Sequence, residues 1–139
     1  MAALPLAAWP YSKAGPRLLV RLDLLLNSLL PAYLTHLSYL MPDITTTELK
    51  QRLQAGETPH IIDVRETWEV EESRIPGSQN IPLGTLPTKL DDLEDLKDQE
   101  VIVHCKSGAR SASAKAFLTQ QGFTNVRNLE GGMMAYANG

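Results

Sequence analysis

One residue in this chain can act as a soft nucleophile. Cys105 is the only cysteine among 139 residues, and it opens the run Cys105-Lys106-Ser107-Gly108-Ala109-Arg110-Ser111. An ordinary thiol, with a pKa of ~8.5, is only about 3% thiolate at pH 7. Thiols at helix N-termini or beside cations fall to roughly 3.5–7.5 and become mostly the nucleophilic form. Lys106 and Arg110 put two cations in the same loop. They can also hold an anionic substrate, Arg110 through a two-pronged hydrogen bond. The small Ser107 and Gly108 let the backbone curl around the sulfur, so that the amides from Lys106 through Ala109 to Arg110 favour negative charge there. The plain alternative is an inert buried thiol. The place of Cys105 after a strand, the two cations, the glycine and the helix that follows argue for the nucleophile.

The elements that must position this loop are legible on both sides of it. Glu100-Val101-Ile102-Val103-His104 is an apolar, β-branched strand. Ser111 to Gln121 reads as a helix with Ala112, Ala116 and Phe117 facing inward, ended by Gly122. Ligands of open α/β sheets bind beyond the carboxyl ends of strands, which is where Cys105 falls. His104 adjoins it, but adjacent strand residues point to opposite faces, so His104 is not expected to serve as its base. Upstream, Thr45-Thr46-Thr47-Glu48 reads as a cap with an acid soon after, opening a helix through about Ala55, and Gly56 closes it. His60 to Val64 is a strand, Glu66 to Glu72 one or two helical turns, and Pro76-Gly77 a turn. Asn80-Ile81-Pro82 is a brief edge strand, since proline cannot donate to a central ladder. Thr85 to Leu96 carries Leu86, Leu90 and Leu93 at helical spacing. Asn125 to Leu129 is a last strand, and Gly131-Gly132 leads into a terminal helix. Strands alternating with helices predict an α/β fold with a mostly parallel central sheet.

Composition narrows the chemistry. Hydrophobic residues are 43% and charged residues 21%, which excludes wholesale disorder. The net charge of −3 argues against a nucleic-acid surface. A single cysteine rules out multi-thiolate metal sites and an internal disulfide. His36, His60 and His104 are far apart, so neither a metal nor a cofactor is expected. Charge also divides the chain. Residues 1–41 carry a net +2 and are rich in Leu, Ala and Pro, whereas residues 42–139 carry −5. Within the first part, Leu18, Leu19, Leu22, Leu25, Leu26, Leu29 and Leu30 form the stripe of an amphipathic helix over about 17–30. Asp23 and Asn27 interrupt it short of a membrane span. Three readings of this extension stay open: packing against the domain or a second copy, contact with a membrane surface or a targeting role, and no role.

The loop from Cys105 to Ser111 resembles the active-site loop of rhodanese domains, especially the small single-domain sulfurtransferases. The resemblance extends over about residues 42–139. Ile62-Asp63-Val64-Arg65-Glu66 with Trp68-Glu69 is similar to the family's first core strand and its exit. Ser73 to Pro82, containing Pro76-Gly77-Ser78-Gln79-Asn80-Ile81-Pro82, is similar to its Pro-Gly signature, and Leu129-Glu130-Gly131-Gly132-Met133 to its closing segment. Ser73-Arg74 stands where the family often has Gly-His, and Tyr136 where it often has Trp. Both departures lie away from the nucleophile.

The resemblance implies a three-layer rhodanese-like fold, with about five strands flanked by helices and the N-terminal helical extension appended. It implies a sulfurtransferase that moves sulfane sulfur from thiosulfate or a similar donor to cyanide or a thiol through a persulfide on Cys105. Lys106, Ser107, Gly108, Ala109 and Arg110 would bind the substrate. Asp63 and Arg65 would brace the loop, as an ion pair rather than as direct participants. Two other readings stand beside this one. A persulfide carrier or partner-binding module would pass sulfur to a relay protein with little turnover. A Cys-dependent phosphatase or arsenate reductase would resemble a loop one residue longer than the four residues between Cys105 and Arg110. The single thiol and the lack of a clear export signal favour a reducing, cytoplasmic setting.

Overall fold

The computed structural model describes residues 41–139. The leucine-striped helix expected over 17–30 lies outside the described residues. Four parallel strands form the sheet in the order β2-β1-β3-β4, where β1 is His60–Asp63, β2 Gln79–Asn80, β3 Glu100–His104 and β4 Asn125–Asn128. Asp63 lies opposite His104 and Val103 opposite Asn128, so β1, β3 and β4 end at nearly the same level. Of a fifth strand there is a single parallel bridge, Ile44 to Leu129. Thr45 ends that strand at once, because it caps the helix α1, Thr46–Gln54, by accepting the Glu48 N–H at 3.1 Å.

The β-strands alternate their side chains between two packed faces. Ile62, Val101, Val103 and Val126 meet Ala114, Leu118 and Phe123 on one side. Ile61 and Ile102 meet Ile44, Leu49, Ile75 and Leu129 on the other. Helix α3, Ala109–Gln120, covers the first face, and α1 with α4, Gly132–Asn138, covers the second. A short helix α2, Thr67–Glu72, follows β1.

Two local expectations need correction. The segment expected to be one helix over Thr85–Leu96 is a pair of 3₁₀ helices, Leu83–Lys89 and Asp91–Leu96. Pro87 lies inside the first and lacks the N–H that a continuous α-helix needs. Leu86 and Leu93 still reach the core. Helix α3 begins two residues earlier than expected, and its buried face is Ser111, Ala114 and Leu118 rather than Ala112, which is exposed. Ala116 and Phe117 are half-buried.

Candidate active site

Strand β3 occupies an inner position of the sheet and hands the chain to Cys105 at its carboxyl end. Two neighbours pin the start of the loop. The His104 carbonyl accepts the Val64 N–H at 3.0 Å, and the Cys105 and Lys106 carbonyls accept the N–H groups of Met133 and Met134 at 2.8 and 3.0 Å. Gly132 makes that second contact feasible. It has a φ of +56°, and a Cβ there would sit 2.5 Å from the Cys105 oxygen. Gly108, at φ +111°, turns the loop back on itself and aims its own N–H at the Cys105 Sγ, 3.1 Å away.

Ser111 supplies the other close donor. Its hydroxyl lies 3.3 Å from Sγ and 3.2 Å from the Gly108 carbonyl. Asn128 Nδ2 also donates to that carbonyl at 3.2 Å, so the Ser111 hydroxyl stands within reach of two acceptors, one of which already has another donor. Burial raises the Cys105 pKa more than any other single influence changes it. The Ser111 hydroxyl and the backbone N–H groups of Ser111, Gly108 and Ser107 together outweigh burial, and the thiol lies below its ordinary value. Of the amides expected from Lys106 through Arg110, those of Ser107 and Gly108 act on the sulfur, and the Ser111 amide and a side chain not expected to act on sulfur join them. The signal for that side chain in the sequence was a serine in the first turn of the helix, one turn after the glycine.

Cys105 has no exposed surface, although Lys106, Ser107 and Ala109 of the same loop are exposed. The sulfur is therefore more enclosed than the partly exposed thiol that reactive cysteines usually present.

The two cations of the loop differ. Lys106 is exposed and makes no ion pair among the described residues. Arg110 stands in the first turn of α3 and is already engaged. Its Nη1 and Nη2 bind the two carboxylate oxygens of Glu69 at 2.7 and 2.9 Å. These bonds hold the Glu69 pKa down to about 2 and raise that of Arg110. Glu69 is further fixed by the Glu66 N–H at 3.0 Å. The pairing joins residues 41 positions apart, so no local pattern announced it.

Asp63 and Arg65 form a buried pair. Arg65 Nη2 lies 2.7 Å and Nε 3.0 Å from the Asp63 oxygens, and Arg65 also donates to the Ser73 and Glu69 carbonyls. Neither residue bonds to the sulfur. His104 is likewise buried. Its Nε2 is 3.4 Å from Asp63 Oδ2 without forming a hydrogen bond, and burial lowers its pKa despite that carboxylate. A neutral imidazole turned toward Asp63 is not a base for the thiol.

Fold and loop together define an α/β protein with one cysteine cradled by donors at the carboxyl end of its sheet. The family model of the rhodanese-like domain matches residues 45–138, and the chain belongs to that family. "Putative sulfurtransferase YtwF" of Bacillus subtilis is 44% identical over 94 residues, 68% of this chain and 88% of that protein. A protein of Allochromatium vinosum named "Sulfurtransferase" is 37% identical over 95 residues, covering 68% and 87%. The crystal structure of a rhodanese-like domain protein from Staphylococcus aureus superposes with a TM-score of 0.61 at 36% identity, over 69% of this chain and 91% of that one. Among the described residues, no helix is long and apolar enough to cross a membrane.

Proposed function

We propose that the chain is a sulfurtransferase that carries sulfane sulfur on Cys105. The observation that supports this best is the donor set on Sγ, namely the Ser111 hydroxyl at 3.3 Å and the Gly108 N–H at 3.1 Å, joined by the Ser111 and Ser107 amides. Family membership and relatives bearing sulfurtransferase names support the same chemistry.

In the first step the Cys105 thiolate attacks the outer sulfur of a donor such as thiosulfate. A new S–S bond forms, the bond to the sulfonate sulfur breaks, and sulfite leaves with the electron pair. In the second step an acceptor nucleophile, cyanide or a thiol, attacks the outer sulfur of the persulfide and Cys105 leaves as thiolate. Preorganised amides and the Ser111 hydroxyl stabilise the thiolate form that attacks in the first step and leaves in the second. Lys106 attracts the anionic end of the donor. Arg110, held by Glu69, fixes the helix end of the loop. Ser107, Gly108 and Ala109 complete the loop around the sulfur, where the donor is bound.

The burial of Cys105 favours a second reading, a carrier in which small donors reach the sulfur slowly and a partner protein opens the loop. One experiment tests both readings. The wild type and Cys105→Ser are incubated with thiosulfate, weighed intact, and then given cyanide. Wild type alone gaining one sulfur atom and yielding thiocyanate on cyanide supports turnover. Sulfur gained but released only to protein thiols supports carriage. No gain contradicts both.

A further inference from the structure

A sulfur donor has to reach a thiolate with no exposed surface. A charged donor loses much of its hydration on the way, and a dianion loses far more than a neutral molecule. Thiolate attack on thiosulfate also brings a monoanion onto a dianion in a site of low dielectric, where their repulsion is little screened. A site suited to such a donor needs cations free to meet it.

The loop from Cys105 to Ser111 holds two cations, Lys106 and Arg110, and one of them is withheld. Arg110 stands within electrostatic reach of the sulfur. Its guanidinium is held protonated first by Glu69 and, more weakly, by the negative charge of Cys105. Yet both carboxylate oxygens of Glu69 are bound to it, at 2.7 and 2.9 Å. Glu69 is not free to swing aside. It is only 8% exposed, and its Oε2 accepts the Glu66 N–H at 3.0 Å. Its own N–H donates to the Glu66 carbonyl at 3.0 Å, and its carbonyl accepts Arg65 Nη1 at 3.3 Å. Glu69 and Arg110 are thus a fixed unit without net charge. Lys106 is left, exposed to water and without an ion pair among the described residues.

We propose that Glu69 is a positioning residue that sets donor specificity: by occupying Arg110 it turns the Cys105 site away from dianionic donors and toward an uncharged alkyl hydropersulfide, RSSH. The proposal rests on the sulfur-transfer reading above and names the donor class for it. The Cys105 thiolate attacks the outer sulfur, a new S–S bond forms, the RS–SH bond breaks, and the thiol leaves as RS⁻ with the electron pair. A single negative charge passes from one sulfur to another, so no further cation is needed.

The test gives the full chain either thiosulfate or 2-hydroxyethyl hydropersulfide and follows by intact mass how fast Cys105 gains one sulfur. Each rate is divided by that of the same donor with a free thiol in solution. The wild type should accelerate the hydropersulfide at least about tenfold more than thiosulfate. Glu69→Gln keeps the side-chain shape and frees the guanidinium. It should move the ratio toward thiosulfate by about tenfold, through a lower KM, and the gain should shrink as salt is added. Arg110→Gln should move it the other way, because the Glu69 carboxylate is then unpaired. Glu69→Gln combined with Arg110→Gln again carries no net charge and should return the ratio to within about threefold of the wild type. A residue that only held the loop in shape would lower both rates together and leave the ratio where it was. An unchanged ratio in Glu69→Gln, a double variant that keeps the gain, or a wild type that accelerates thiosulfate more overturns the proposal. If Glu69→Gln fails to fold, the wild-type comparison and the double variant still decide. Sulfur gained from neither donor contradicts the proposed function itself, whereas sulfur gained by preference from thiosulfate contradicts only the role given to Glu69.

Discussion

Two polar regions meet at the carboxyl end of the sheet and are built on opposite plans. In the series Asp63, Arg65, Glu69 and Arg110, each charge has a counter-charge of its own, at 2.7 Å in both pairs. Around Cys105, by contrast, the close partners are neutral donors, a glycine amide and a serine hydroxyl. The first arrangement spends its charge on itself and holds shape. The second leaves a negative sulfur stabilised by dipoles, with no ion bonded to it that must be displaced before reaction. Reactivity therefore belongs to the region with fewer formal charges.

Substitutions can break or sharpen this contrast, and their expected effects span a wide range. Cys105→Ser should reduce sulfur uptake on the order of a thousandfold while leaving the melting temperature nearly unchanged, as turnover and calorimetry on the same sample will show. Asp63→Ala should do the reverse. It strands the Arg65 guanidinium in the interior and should cost about 3–5 kcal/mol in denaturant unfolding. Ser111→Ala removes the side-chain donor from sulfur and should move the rising limb of the pH–rate profile upward, with a loss of roughly tenfold at neutral pH. If that limb stays in place, the hydroxyl is serving the Gly108 carbonyl instead.

The charged network should also show itself in acid. Glu69 has a folded pKa of about 2, below its ordinary 4.5. Its contribution is complete above the ordinary value and disappears as pH falls through 4.5 toward 2. Because Arg110 is partly exposed, the contribution should be about 1 kcal/mol after solvent screening. Glu69→Gln should flatten the stability curve in that window and leave it unchanged near neutrality in slope. The smallest effect is expected for Lys106→Ala, a rise of a few-fold in the KM for thiosulfate that shrinks as salt is added.

Much of this was written locally in the chain. The β-branched run of β3, the small residues after it and the start of a helix are contiguous, so the placement of Cys105 followed from a single stretch of sequence. The caps at Thr45 and the turn glycines were equally local. What escaped were contacts between distant segments. Arg110 looked like a free anion receptor because Glu69 lies 41 residues away, and Asn128 gave no hint that it would occupy the Gly108 carbonyl. The burial of the sulfur depends on the packing of the loop as a whole, which residue types alone do not reveal. The 3₁₀ geometry after β2 had a visible cause in Pro87, but leucine spacing suggested an α-helix there.

The most direct test is an ultraviolet pH titration of the thiolate, unambiguous because the chain has a single cysteine. A midpoint below that of an ordinary thiol, moving upward in Ser111→Ala, is the result this account predicts. A midpoint at or above the ordinary value in the wild type would contradict it.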